Sequence, residues 1–507
     1  MRPAPLAARR ALGVALLVLA GTLPTAAAEA ASVRVPADYF GVNFQLVELV
    51  ERPVRERQLD AIAGAGIERM RVNFSWAVLE PEPAASGSGY RFERYDAVLG
   101  AAARRGITVE PTIVQSPGWA TSETGLAGEL ECGHASSRRP AALAPYVELV
   151  RAVARRYGRG GSFWRGQPEA RTRPVTSYEI WNEANLNGGW CPRPEPERYA
   201  EMFVAAAAAI RGVDPRAAVL VGGLGFARAG TANNIDPAEF LRRATAAQPD
   251  LARAASAVAV IVDSRTGADA QARRVSDFRD ILRAGGIPDA TPVVVAEQGW
   301  TTSGTNGRAP VTEAERAAGY EALTRTLSRT NCNLGAVLAH TWVSDESDPD
   351  DVEDWFGIAN PFSAALYPSA RRYARGVALI RGRLEAEPPR RTITACRGMR
   401  KPDQDGDAIR DERDYHPLDR GRVTKGGRLT TTECSVRMIF LRERMRDASG
   451  AERRRLARAY DRLRKRCVGD CRHQRLRRLE RRALSTDSPA KERKRRVKHR
   501  RLVGRCR

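Results

Sequence analysis

Between residues 39 and 380, short runs rich in β-branched and apolar residues alternate with longer stretches whose apolar positions recur at three- and four-residue steps. The first kind reads as strands: Tyr39–Phe44, Met70–Phe74, Thr108–Val114, Ser177–Trp181, Val219–Gly223, Ala257–Val262, Pro292–Ala296 and Ala336–Thr341. The second kind reads as amphipathic helices, at Val54–Ala65, Tyr95–Arg105, Pro145–Tyr157, Glu197–Arg211, Ala270–Arg283 and Glu313–Arg329. Strands alternating with helices eight times over predict an α/β fold closed as a (β/α)8 TIM barrel. A doubly wound open sheet shares the alternation, but no glycine-rich dinucleotide fingerprint follows the first strand.

Outside this body the pattern changes at both ends. Arg2, Arg9 and Arg10 precede an apolar run of 13 residues, Ala11 to Leu23, followed by small residues around Ala26–Ala30. A membrane span needs about 20 apolar residues, so this reads as a signal peptide over 1–30, with an uncleaved anchor as the alternative. The Arg9-Arg10 pair also fits a twin-arginine signal. No later stretch is long and apolar enough to span a membrane, and the expected location is secreted or cell-wall associated.

Charge divides the chain. Residues 1–390 carry 45 Lys+Arg against 44 Asp+Glu, whereas residues 391–507 carry 38 against 16, and no lysine precedes Lys401. The expected organisation is therefore a barrel over 31–384, a linker over 385–402, an acidic loop over 403–414, and a basic, cysteine-containing tail over 415–507. That tail reads as Arg-rich helices at Val436–Arg446 and Ala451–Arg466, with the run Lys491–Arg501 disordered. Export argues against nucleic acid as the partner of so basic a tail. An anionic cell-wall polymer is the expected one, and a solvated helical surface with no partner is the alternative.

Eight cysteines stand at 132, 191, 332, 396, 434, 467, 471 and 506. An exported chain permits disulfides, and Cys132 with Cys191 is the expected pair, because both lie in loops following neighbouring strands. Zinc at Cys467, Cys471 and His473 is the rival use of the later cysteines. Asp403, Asp405, Asp407, Asp411 and Asp414 occupy positions 1, 3, 5, 9 and 12 of a loop, a spacing that suits structural calcium. Position 6, usually glycine, is Ala408, and a solvated acidic turn is the other reading.

The active site of such a barrel forms at the carboxyl ends of its strands. There the sequence places Asn43, Asn73 to Trp76, Gln115 to Trp119, Asn182-Glu183, Asp263, Glu297 and Trp342. Two carboxylates with aromatics and amides point to a sugar cleft. Glycoside hydrolysis uses two carboxyl groups, one protonating the departing oxygen and the other attacking the anomeric carbon or activating water, and it requires no cofactor. A structural salt bridge at the barrel mouth is the competing account of either glutamate taken singly.

Residues 39–365 resemble the clan of (β/α)8 retaining glycosidases with catalytic glutamates on strands four and seven, nearest to family 39. The resemblance rests on Ser177-Tyr-Glu-Ile-Trp-Asn-Glu183, Val293-Val-Val-Ala-Glu-Gln-Gly-Trp300, Arg71-Val-Asn-Phe-Ser-Trp-Ala-Val-Leu-Glu-Pro81, Tyr90-Arg-Phe-Glu-Arg-Tyr-Asp96, Ser116-Pro-Gly-Trp-Ala120 and Phe356-Gly-Ile358. It implies Glu183 as acid/base, Glu297 as nucleophile, Asn182 on the sugar 2-hydroxyl, and Arg71 beside Glu297, favouring its ionised form. Trp342 would floor the subsite of cleavage, with Trp119 and Trp300 as further aromatic contacts. One stretch departs from the family: Val258–Ser264 holds neither His nor Tyr to orient the nucleophile, and Asp263 is its polar candidate. A glycan-binding or cell-wall-associated barrel without turnover is the alternative that this departure leaves open.

Overall fold

The computed structural model describes residues 38–381 apart from 84–88, 122–131, 133–137, 169–171, 227–232, 263–265, 305–308, 329 and 331, together with residues 396 and 397 and parts of 434–504. The signal segment, Asp263, most of the linker and the Asp403–Asp414 loop lie outside the described residues.

Eight parallel strands close on themselves in sequence order. They are β1 (Phe40–Asn43), β2 (Arg69–Ser75), β3 (Thr108–Val114), β4 (Ser177–Asn182), β5 (Ala218–Leu224), β6 (Ala257–Ile261), β7 (Val293–Gln298) and β8 (Leu334–Ala339). Closure is made by β1 against β8, with Phe40 opposite Val337 and Val42 opposite Ala339. The expected barrel is thus the observed one. Helices cover its outside, and each buries the face its periodicity foretells. In Leu143–Tyr157 the buried residues are Tyr146, Leu149, Val150, Val153, Ala154 and Tyr157. Among the helices outside the ranges expected from the sequence, Pro237–Ala247 and Pro368–Ile380 both begin with proline in the first turn, where its missing N–H costs nothing.

The barrel interior is divided. On the side of β5 to β8 it is filled by Leu220, Ala257, Ala259, Val294, Ala296, Ala336 and Leu338. On the side of β2 to β4 it is filled by charge: Arg69 pairs with Glu110, and Arg71 pairs with Glu179. Small residues on one wall make room for two long arginines from the other. Buried charges persist only when paired and hydrogen-bonded, and these are: Glu110 also accepts from the Ser177 hydroxyl (2.6 Å), and Glu179 from the Thr112 hydroxyl (3.1 Å) and the Gly223 N–H (2.8 Å).

Two disulfides fasten the barrel's periphery. Cys132 bonds Cys191 as expected, with a Cα separation of 5.6 Å, and Cys332 bonds Cys396 at 5.3 Å. The second one, with Arg397 bonded to the Ser276 hydroxyl and paired with Asp277 and Asp280, ties part of the expected linker to the helix Ala268–Ala284.

In the basic region, helices Gly450–Val468 and Pro489–Gly504 share a small core of Cys434, Met438, Tyr460, Cys467, Leu502 and Val503, with Cys434 bonded to Cys467. That bond removes Cys467 from the zinc reading. The run Lys491–Arg501 is helical, not disordered as its composition suggested. His499, Leu502 and Val503 bury one face of that helix, and His499 joins Ser435 (2.7 Å) to Glu480 (3.0 Å). Among the described residues no helix is long and apolar enough to cross a membrane.

Candidate active site at the carboxyl ends of the strands

Strict alternation along β4 would send Glu179, Trp181 and Glu183 to the same side. It does so only for the first. Trp181 adopts a left-handed backbone (φ 67°) and turns outward, edge-on to Tyr146 (5.8 Å between ring centroids) and Trp190 (5.4 Å). Asn182 then faces inward, where its Oδ1 accepts from Arg71 Nη2 at 2.9 Å. Glu183 is also left-handed (φ 49°), a conformation that is costly for a side-chain-bearing residue. Its N–H donates to the Gly223 carbonyl at 2.7 Å, and its carbonyl accepts from the Leu186 N–H at 2.8 Å. The side chain reaches over Gly225, where a Cβ would stand 2.9 Å from Glu183 Oε1, so glycine at that position leaves room for the carboxyl.

On β7 a similar break occurs. Val294 and Ala296 point into the barrel, so Glu297 would face the helices if alternation continued. The register shifts on both sides of this segment, between Val260 and Ile261 on β6 and between Val295 and Gln298 against β8. Such irregularities re-aim a side chain. Glu297, 9% exposed, meets Arg71 with Oε1 2.6 Å from Nη1.

Arg71 is therefore the hub. Its Nε and Nη2 bind the two oxygens of Glu179 at 2.6 and 2.9 Å, and its Nη1 binds Asn43 Oδ1 at 2.8 Å as well as Glu297. Asn43 is held in turn by its own amide, which donates to the Ala296 carbonyl at 2.7 Å. Burial opposes charge on the guanidinium, but the carboxylates of Glu179 and Glu297 outweigh it and hold the group above its usual value. Burial pushes the Glu179 carboxyl up, against the pull of Arg71. One guanidinium is thus shared by two carboxyl groups, of which Glu297 is the one nearer solvent.

No family model matches the chain, and no curated protein does. Solved structures with a similar fold include glycoside hydrolases. A family 39 glycoside hydrolase from Bacteroides cellulosilyticus WH2 is 17% identical, matching 68% of this chain and 64% of its own, with a TM-score of 0.47. A glucosidase from Croceicoccus marinus is 14% identical over 69% of each chain, with a TM-score of 0.49. The GH5_18 protein from Streptomyces cattleya, in complex with GlcNAc, is 19% identical over 71% of this chain and 83% of its own, with a TM-score of 0.47. This chain thus spans less than two thirds of the first of them.

The aromatic residues depart from the sequence reading. Trp342 is fully buried and its indole N–H donates to Gln58 Oε1 at 2.8 Å, so it has no face to offer a sugar. Trp300 is 6% exposed and lies edge-on to Tyr320. Of the three tryptophans proposed as contacts, Trp119 alone is partly exposed; its indole donates to the Glu80 carbonyl at 2.9 Å and packs edge-on against Trp76. The side chain that follows β8 into the site is His340, with Nδ1 3.5 Å from Glu297 Oε2. Sequence reading missed it, although a histidine directly after the apolar Ala336–Ala339 was the signal. It also missed Glu179, whose signal was a glutamate between the apolar Tyr178 and Ile180 in mid-strand.

Proposed function

We propose that the protein is a retaining O-glycosyl hydrolase acting on a polysaccharide or oligosaccharide by double displacement. The observation that supports this best is the bridging role of Arg71. One guanidinium binds both Glu297 and Asn182, the neighbour of Glu183, so the ends of β4 and β7 are organised around a single charge. In the first step a Glu297 oxygen bonds to the anomeric carbon while Glu183 protonates the departing oxygen. In the second, Glu183 takes a proton from water, which displaces Glu297. Retention calls for a carboxyl separation of about 5–5.5 Å, and a gap of about 9 Å would mean inversion. Asn182 is proposed to bind the 2-hydroxyl, with Trp119 as the aromatic contact.

The test is incubation of the full-length protein with bacterial and plant polysaccharides and with aryl glycosides, following the first-formed anomer by proton NMR. The expected product keeps the anomeric configuration, Glu297→Gln abolishes turnover, and Glu183→Gln slows it by about 10²–10⁴-fold. An inverted product overturns retention. A glycan-binding barrel without turnover is the second reading, left open by the lack of His or Tyr in Val258–Ser264. Binding with no released oligosaccharide from any substrate would select it. Export, retention on an anionic wall polymer through the basic region, and calcium at Asp403–Asp414 complete the proposal.

A further inference from the structure

The two oxygens of Glu297 have different surroundings. Oε1 is occupied by Arg71 at 2.6 Å, and Oε2 faces His340 Nδ1 at 3.5 Å. The other ring nitrogen, Nε2, lies 3.7 Å from Glu353 Oε2, in the loop after β8. His340 is 8% exposed, and its ring packs edge-on against Phe356 with centroids 5.0 Å apart. Its backbone is fixed as firmly as its ring. The His340 N–H donates to the Gln298 carbonyl at 3.0 Å, and the Tyr320 hydroxyl donates to the His340 carbonyl at 2.9 Å. A Cβ on Gly299 would collide with that carbonyl, so the glycine after Glu297-Gln298 allows β7 and the end of β8 to close together here.

We propose that His340 is the positioning residue for Glu297: its Nδ1–H aims Oε2, the oxygen left free by Arg71 to attack, and its contact with Glu353 couples the nucleophile to the loop after β8. This rests on the reading of Glu297 as the nucleophile. A carboxylate gripped through one oxygen can still rotate about that bond, and a misplacement of about 1 Å costs about 100-fold in rate. A donor on the second oxygen removes that freedom. Contacts of this kind are often long in the free enzyme and tighten when substrate binds. Two carboxylates lie near the ring, Glu297 from β7 and Glu353 from the loop. The group that strand six lacks is in this way supplied from strand eight.

The experiment uses the full-length protein and the aryl glycoside that the wild type turns over. His340→Leu fills the space without a donor, and His340→Asn restores an amide N–H near the Nδ1 position. His340→Leu is expected to lower kcat by about 100-fold, with KM within about 3-fold of wild type. His340→Asn is expected to recover most of that loss. Both variants should unfold at urea midpoints close to wild type, which sets the effect apart from misfolding. Independently of turnover, nitrogen NMR of the imidazole should show the His340 titration midpoint falling by about 0.5 pH unit or more in Glu297→Gln, because a neighbouring carboxylate has gone. A His340→Leu variant with wild-type kcat, an Asn variant no better than Leu, or an unmoved titration overturns the proposal while leaving the hydrolase reading standing. Absence of turnover by the wild type on every substrate overturns the hydrolase reading, and with it the positioning role.

Discussion

Replacing Arg71 by methionine should damage stability and activity for separate reasons, and a second substitution separates them. Arg71 and Glu179 are 1% and 0% exposed, and they share two hydrogen bonds. Removing one partner of such a pair costs roughly 3–5 kcal/mol, because the other charge is stranded out of water. The loss should depend on pH. Burial already raises the Glu179 carboxyl, and without Arg71 it rises further. The folded state then holds a proton that the unfolded chain releases above about pH 4.3. The deficit of Arg71→Met is accordingly small at acid pH, grows as pH rises through the folded value, and is constant above it. Adding Glu179→Gln removes the stranded charge and keeps an oxygen for the Gly223 N–H, so the pair should regain about 2–3 kcal/mol. Activity should not return with it, since Glu297 still lacks its cation. Urea unfolding followed by tryptophan fluorescence at several pH values gives the first quantity, and kcat on the aryl glycoside gives the second. A double variant that recovers turnover along with stability would refute the assignment of Arg71 to Glu297, and a single variant as stable as wild type would refute the buried-pair argument.

The Glu48 carboxyl, 4% exposed, is pushed up to about 7 by burial despite a hydrogen bond from the Tyr95 hydroxyl. Its penalty is absent below the unfolded value and complete above the folded one, so Glu48→Gln should stabilise the protein by up to roughly 3 kcal/mol at pH 8 and hardly at all near pH 4; a gain equal at both pH values would contradict this. Replacing Cys132 and Cys191 together by serine opens a cross-link between residues 59 apart and should lower stability by about 4 kcal/mol in urea unfolding. Truncation after Arg397, which keeps the Cys332–Cys396 bond, should spare turnover of a small neutral substrate and abolish co-sedimentation with anionic wall polymer. For the full chain that binding should weaken steeply with salt, the Debye length being about 8 Å at physiological strength, and equal sedimentation of both forms would remove the retention role.

The eight strands could be read from the sequence because each is a short apolar run between polar helix entries, a pattern that survives without knowledge of partners. Glu183 and Glu297 stand out as candidates for the same reason, as charges directly after such runs. What escaped depends on pairing across the barrel. Glu179 escaped although Arg71 did not: the two are 108 residues apart in the chain, and the glutamate does not look tolerable in mid-strand until the arginine is opposite it. The tail helix escaped because its composition is that of a disordered segment, while among its described residues it buries only His499, Leu502 and Val503, the last two against a core that holds the Cys434–Cys467 bond.

The exchange of Trp342 for His340 is the most instructive failure, because it concerns two residues rather than a whole element. Strand side chains alternate with period two, so an error of one position reverses the assignment of every face beyond it. The left-handed residues at Trp181 and Glu183 and the register shifts beside Glu297 are such reversals, and they fall where the candidate chemistry is concentrated. After β8 the sequence offers His340, Thr341 and Trp342 in succession, and aromatic character favours the last as a sugar platform. Geometry chooses otherwise. The Trp342 N–H donates to the Asn43 carbonyl and the indole to Gln58, which draws the ring behind the first strand, while Gly299 lets the His340 carbonyl approach β7 and turns the imidazole toward Glu297. The regular strand pattern locates the mouth of the barrel, and its local interruptions decide which side chain enters it.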